Sequence, residues 1–410
     1  MKTKAVIENG FKETEIGLIP EDWQVKGFEE CIDKERISRD IKIPQGKYKK
    51  VGRYPIVDQG ASFVAGYTDD KSKLYSGCLP VIVFGDHTRI FKFVDFSFSL
   101  GADGIKLIQP KDFLNPKYFY YYLCSLAIES KGYNRHYKYL KEKIIAFPEK
   151  TEQQKIAFVL SKIQQAIEQQ HKIIETTKEL KKSLMYKLFT EGLNGEEQKE
   201  TEIGLMPKSW KSESISNVVE KTKQIDPRKT PNLSFKYIDV SGISNEFYKI
   251  IEYRTYNGSN APSRARKLIR TNDVIFATVR PTLKRIAYVD EDYDGKICST
   301  AFCVLRSKKN VLSSRYLYYC VQNDEFIEEL AKLQRGASYP AVTDGDIKRQ
   351  QIPLPKVEEQ KEISNVLFNI DKKLAQVESR KQTLQALFKT VLNQLMTGKI
   401  RVKDFDFEVN

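Results

Sequence analysis

Cations, amides and hydroxyls gather in turn-rich stretches of this chain, and that mix suits one chemistry: such donors grip phosphate oxygens and read the edges of bases. In the first half, Phe84-Gly85-Asp86-His87-Thr88-Arg89 falls between two strand-like runs, and Gly101-Ala102-Asp103-Gly104 with Lys106 opens the next. Lys131-Gly132-Tyr133-Asn134-Arg135-His136-Tyr137-Lys138 follows a helix-like run. The second half has like-placed segments at 278–285 (TVRPTLKR) and 335–340 (RGASYP), and a third basic stretch at 263–267 (SRARK). The candidate contacts are therefore His87, Thr88, Arg89, Lys106, Asn134, Arg135, His136 and Lys138, then Arg264, Arg266, Arg280, Lys284, Arg285, Arg335, Ser338 and Tyr339. Asp86 and Asp103 read as turn caps or as groups that orient a neighbouring Arg. The tyrosine runs at 118–122 and 316–319 read as helix core.

Covalent and metal chemistry find no such footing. A phosphate-cradling GxxxxGK loop and a GxGxxG turn are both absent from the sequence. The nearest string to an adenine methyltransferase loop, Asn115-Pro116-Lys117-Tyr118, lacks the second proline and reads better as a helix start. HExxH, GxSxG and the His/Glu plus paired-Cys deaminase pattern are missing as well. Of three histidines, His87 and His136 lie in polar stretches and His171 falls on the outer face of a long helical pattern. Six cysteines, Cys31, Cys78, Cys124, Cys298, Cys303 and Cys320, follow no metal spacing and read as thiols in cores. The expectation is a chain that catalyses nothing and holds neither metal nor cofactor.

The elements that must position these residues are set by an internal duplication. A helical pattern at 148 to 193 returns 207 positions later at 355 to 400, where Pro148, Glu152, Gln153, Ile156, Leu160, Leu180 and Lys182 reappear as Pro355, Glu359, Gln360, Ile363, Leu367, Leu387 and Lys389. In the second copy Ile363, Leu367, Ile370, Leu374, Val377, Leu384, Phe388, Val391 and Leu395 step by four and three, broken only by Lys381. That spacing is the seam of a coiled coil. The first copy keeps it with Gln170, Thr177 and Lys181 as polar interruptions. Each seam needs a partner helix, and the other copy is at hand; about 40 residues make a rod of about 60 Å.

Before each helix lies an opening, KETEIGLIPEDW at 12–23 and KETEIGLMPKSW at 199–210, then a strand-rich block. Strands are expected at 54–57, 79–84, 90–94 and 105–109, with a helix over 115–130; in the second block, strands at 236–240, 274–279, 285–289 and 297–305, with a helix from Ser313 or Ser314 through Leu330. Gly192, Asn194 and Gly195 read as the stop between halves. The domain plan is 1–147, a helix at 148–195, a second block at 196–354, and a helix and tail at 355–410. With 410 residues, 40% of them apolar, each block can bury a core, and the net charge of +14 suits a polyanion partner. Membrane-length apolar runs are lacking and the start, MKTKAVIENG, has no signal-peptide core, so a cytoplasmic location is expected.

These residues resemble one family, the specificity subunits of type I restriction-modification enzymes. The resemblance covers nearly the whole chain. It is carried by the two EIGLxP openings, the proline-then-EQ helix starts FPEKTEQQKIAFVL and IPLPKVEEQKEISNVL, the helix ends LMYKLFTEG and LNQLMTGKI, and SRARKLIRTNDVIFATVRP; FGDHTR with LGADGIKL looks like one class of the family's target recognition domains. The resemblance implies an α+β protein with two mixed α/β target recognition domains, separated by an antiparallel coiled coil of the two long helices with pseudo-twofold symmetry. Each domain would read one half of a bipartite asymmetric site in double-stranded DNA, while the helices set the gap. Implied partners are two modification (methyltransferase) subunits and the restriction (motor-nuclease) subunits; S-adenosylmethionine, ATP and Mg are implied only for them. A self-contained DNA-modifying enzyme and a coiled-coil protein adaptor are the alternatives.

Overall fold

A computed structural model describes residues 10–33, 41–101, 104–130, 132 and 134–406. Ala102, Asp103, Lys131, Tyr133 and most of the N-terminal segment named above lie outside the described residues. The two repeated patterns form helices at Lys150–Glu191 and Val357–Met396. Each follows closely on its proline, and Gly192 (φ +68°) and Gly398 (φ +67°) end them in the left-handed region that a side chain would strain. Among the described residues no helix is long and apolar enough to cross a membrane.

The repeated glutamine explains why both helices start alike. Gln153 Nε2 donates to the Pro148 and Phe113 carbonyls at 2.9 and 3.1 Å, while its Oε1 accepts from Asn115 N at 2.7 Å. Gln360 repeats this on the Pro355 and Val311 carbonyls (2.9 and 3.1 Å) and Ser313 N (2.7 Å). Asn115 and Ser313 are themselves the N-caps of the earlier helices Pro116–Ser125 and Ser314–Cys320, so one buried amide orients two helix starts. Gln360→Leu strands three backbone groups, and it is expected to cost about 2–3 kcal/mol, read from the urea midpoint of the second unit.

The chain divides into two compact units, residues 1–172 with 378–410, and residues 173–377. Each unit takes half of each long helix. In the first, Ile156, Ala157 and Leu160 share a core with Leu395 and Met396 and with Trp23, Phe28 and Tyr118. In the second, Leu188 and Phe189 share a core with Ile363 and Leu367 and with Trp210, Tyr316 and Tyr319. Polar seam positions find partners: within the second unit Lys181 Nζ lies 2.6 Å from Asp371 Oδ1, and Tyr319 donates to Asp371 Oδ2 at 2.8 Å.

Both units repeat one sheet plan. In the first, β1 (Ile32–Asp33), β2 (Val81–Gly85), β3 (Phe91–Val94) and β4 (Ile105–Pro110) form an antiparallel sheet in the order β1-β4-β2-β3. The second matches it with β5 (Val219–Glu220), β6 (Val274–Ala277), β7 (Ile286–Tyr288) and β8 (Phe302–Ser307) in the order β5-β8-β6-β7. A second sheet in each, of three strands in the first unit and four in the second, contains one parallel pair, Tyr54–Val57 with Ser99–Leu100, or Ser234–Ile238 with Ile297–Ser299. The unbroken apolar runs at β2 and β6 follow from burial on both faces. Ile82 and Phe84 enter one core and Val81 and Val83 another; Val274 and Phe276 separate from Ile275 and Ala277 in the same way.

Two expected elements are divided. The strand expected over 297–305 is two strands in different sheets, because Thr300 turns away to donate to the Arg264 carbonyl at 2.8 Å. The helix expected from Ser313 to Leu330 breaks into α2 (Ser314–Cys320) and α3 (Asp324–Lys332), since Asn323 caps the second piece through its side chain. The first-unit counterpart, α1, spans Pro116–Ser125. Tyr118, Tyr121, Tyr316, Tyr318 and Tyr319 are buried as expected, whereas of the six cysteines Cys78 and Cys124 are exposed.

The openings are hairpins, Phe11–Thr14 with Gly17–Pro20 and Gln198–Thr201 with Gly204–Pro207. Their repeated lysine ties the far end: Lys12 Nζ donates to the Glu21 and Trp23 carbonyls at 2.7 and 2.6 Å, and Lys199 Nζ to those of Lys208 and Trp210 at 2.9 and 2.5 Å. Both tryptophans are 1% exposed. In the first unit Arg401 forks onto Glu152, with Nε–Oε1 2.8 Å and a terminal nitrogen 2.6 Å from Oε2, and also onto Asp22 at 2.9 and 2.6 Å. The repeated acid does related work in the second unit, where Glu359 accepts from Trp210 Nε1 at 3.1 Å and Leu193 N at 3.4 Å.

Candidate nucleic-acid interface

In the first unit, β2 and β3 form a hairpin whose tip is Asp86-His87-Thr88-Arg89. Asp86 is 2% exposed and acts as a staple. Its N–H donates to Gly104 O at 2.7 Å, its carbonyl accepts from His136 N at 2.9 Å, and its Oδ1 accepts from Tyr137 N at 2.8 Å. The three turn-rich segments picked out by residue type are therefore one surface. His136 is 0% exposed, with Nδ1 3.0 Å from the Asp86 carbonyl, so the structure places it in the staple and not on the outer face where residue type had put it. Polarity of its neighbours made it look like a surface group.

Other tip residues also turn inward. Thr88 Oγ1 donates to the Gln59 carbonyl at 2.6 Å. Arg89 adopts φ +64°, and one terminal nitrogen donates to the Ile128 carbonyl at 2.7 Å, so its fork is not presented whole. His87 and Lys106 are half-buried; Lys106 Nζ stands 5.5 Å from the centre of the Tyr137 ring. Asn134, Arg135 and Lys138 are exposed, with Lys138 Nζ 4.9 Å from the Tyr139 ring centre. The outward donors of this unit thus come mainly from 134–138.

The second unit builds the same pairing of a hairpin tip with the segment after the helices. The tip between β6 and β7 is held by Val342 N donating to Thr278 O at 2.9 Å and Arg280 N to Pro340 O at 2.7 Å. Arg335 and Ala341 exchange backbone hydrogen bonds, both 3.0 Å, which closes the second loop. Arg280 (φ +48°) has its guanidinium carbon 5.2 Å from the Tyr339 ring centre, and a terminal nitrogen 3.4 Å from Ser338 O. Tyr339 is 72% exposed and Arg335 is also exposed, its guanidinium 3.7 Å from Asp346. A guanidinium laid on an aromatic face in the open is oriented before a ligand arrives, which suits a planar fork.

Not every basic residue of this unit faces outward. Lys284 pairs with Asp324, and that hydrogen bond, joined by one from Lys182, holds the Asp324 carboxyl below its usual range. Arg285 donates from one terminal nitrogen to the Val240 and Ile243 carbonyls at 2.9 and 2.8 Å. Arg266 lies 3.3 Å from Asp226, while Arg264 is exposed on the rim of a cleft of about 230 Å³ with Tyr253 and Ser241. Gln59, which receives Thr88 and accepts from His87 N at 3.3 Å, was not legible as part of the site. Lys92 was missed too: its Nζ donates to Asp58 O and Ser62 O at 2.7 and 2.6 Å, and burial lowers its pKa against the pull of the Asp58 carboxylate.

A mixed α/β unit built twice in one chain, each copy ending in a stapled pair of loops rich in donors, defines a class of two-headed binding proteins. The profile of the family described as the type I restriction modification DNA specificity domain matches residues 20–178 and again residues 207–386. The chain belongs to this family and carries its domain in two copies. It is 26% identical over 436 residues to the type I restriction enzyme MjaVIII specificity subunit of Methanocaldococcus jannaschii, covering 98% of each chain. The crystal structure of the type I restriction-modification system S subunit from M. genitalium shares the fold, with a TM-score of 0.60 at 17% identity over 96% of this chain and 99% of that one.

Proposed function

We propose that this chain is the DNA sequence-specificity subunit of a type I restriction-modification system. Each unit reads one half of a bipartite asymmetric site, through the loops at its hairpin tip and after its helices. The observation that carries the reading is the duplicated staple: Asp86 with His136 and Tyr137 in one unit, Arg280 with Pro340 in the other. The two long helices pair as an antiparallel coiled coil between target recognition domains at 1–147 and 196–354 and set the unread gap. A rod of about 60 Å exceeds the roughly 34 Å of one DNA turn. The chain itself is non-catalytic and works in the cytoplasm. Two methyltransferase subunits bring S-adenosylmethionine and take the target adenine out of the duplex, and the restriction subunits bring ATP and Mg.

Mapping methylated adenines in a host that carries this chain with its methyltransferase subunits tests the reading. The expected result is a two-part motif with a fixed gap, whose halves trade places when the two blocks are exchanged. Cleavage or methylation of DNA by the purified chain alone would favour a self-contained enzyme, and failure to retard any duplex with the methyltransferase present would favour an adaptor. Within the second unit, Arg280→Ala is expected to weaken cognate binding by about 1–3 kcal/mol, the value of one bidentate base contact. Arg280→Lys recovers little of it because the fork is lost. Equal affinity of the three proteins for the mapped site removes Arg280 from the interface.

A further inference from the structure

Each return strand of the two hairpins sends one cation away from the tip. In the first unit this is Lys92, whose side chain is 3% exposed and whose ammonium holds two carbonyls of the loop 58–62 and lies 3.7 Å from Asp58 Oδ1. In the second it is Arg285, on the carbonyls of Val240 and Ile243. The receiving loops correspond: each leaves the strand that makes the parallel pair of the second sheet, Tyr54–Val57 or Ser234–Ile238. The cations nearly correspond as well. Gly85 N bonds Ile90 O, and Ala277 N bonds Arg285 O, so Ile90 is the counterpart of Arg285. Lys92 stands two residues farther along, on the same face of its strand.

Two different side chains at neighbouring positions thus reach one arrangement. A buried ammonium is costly unless its donors are met, so core packing alone gives no reason to place Lys92 there. What it holds is a loop whose Ala61 and Ser62 are exposed, as Ser241 is in the other unit. Thr88 closes the same junction from the tip side, through the Gln59 carbonyl. In the second unit the held loop also borders the cleft that Arg264 lines, next to the basic stretch at 263–267.

We infer, resting on the DNA-reading assignment above, that Lys92 and Arg285 are positioning residues for specificity. Each locks the loop that leaves the parallel strand against the reading hairpin, so that both present one rigid surface to a DNA half-site. Rigidity matters because a loose loop adapts to wrong bases and blunts the difference in affinity on which selection depends.

The test selects a random duplex library on the full chain with its methyltransferase subunits, then measures retained sites over a range of salt. Wild type is expected to select a two-part motif; selecting none would sink the DNA-reading assignment, and this inference with it. Lys92→Met is expected to lower the preference for the correct base by about tenfold at positions of one half only. The salt slope should not change, and Lys92→Arg should restore the preference. Arg285→Ala, at a half-buried side chain that folding tolerates better, is expected to do the same to the other half. Full discrimination in Lys92→Met and Arg285→Ala overturns the inference. So does a uniform loss over all duplexes with a shallower salt slope, which would make these residues phosphate contacts.

Discussion

Arg401→Ala is expected to lower the stability of the first unit by about 3–5 kcal/mol, the cost of leaving a buried carboxylate without its cation. Glu152 is 1% exposed and, among the described residues, accepts besides the guanidinium only from Val402 N at 3.3 Å. The chain holds two tryptophans, Trp23 in the first unit and Trp210 in the second. In a Trp210→Phe background, emission during urea unfolding therefore reports the first unit alone. Replacing Arg401 and Glu152 together by methionine should recover most of the loss, because no buried charge remains. An unchanged urea midpoint for Arg401→Ala would show the pair to be dispensable. The Arg401 hydrogen bond also holds the Asp22 carboxyl below its ordinary value. A depressed carboxylate adds stability that is present above its unfolded pKa and is lost as pH falls through its folded one. Wild type should lose that contribution in acid below the ordinary carboxylate range, and Arg401→Ala should lose less, since only Lys403 and a backbone N–H then favour the Asp22 carboxylate.

Binding to the cognate duplex is expected to weaken about a thousandfold between 50 and 200 mM salt, as for a protein that neutralises roughly six phosphates. The chain's net charge of +14 includes Arg135 and Lys138 in one unit and Arg264, Arg280 and Arg335 in the other, all exposed on or beside the stapled loops. Each phosphate contact contributes about −0.9 to the slope of log K against log salt. Arg135→Ala should therefore make the slope shallower by about one unit and weaken all sequences alike. A slope near zero would mean that these loops do not meet the DNA backbone.

The duplication, the two helices and most strands were legible because their signals are periodic and local. The split at Thr300 was not: the run from Ile297 to Leu305 is apolar enough to feed two sheets, and nothing in its spacing marks the change. Residue type also located the loops of the interface without telling which side chains face out. Arg285 and Arg335 are alike in sequence, yet one holds carbonyls of its own chain and the other is exposed. Lys92 was hidden for the opposite reason. In β3 the buried positions are Lys92 and Val94, so the strand's one charge sits on the inner face, where alternation predicts an apolar residue.

Strands β2 and β6 of the two antiparallel sheets serve two cores at once, each core taking alternate residues. Deleting a single residue there would trade their contents, forcing Phe84 toward sites shaped for valine and leaving a void behind it. Such a strand cannot change length by one. The turn beyond it is under no such restraint, and the two units show it: residues 86–89 bridge the first hairpin, whereas residues 278–284 bridge the second. New recognition can arise by lengthening or shortening a tip while the slats that carry it keep their count.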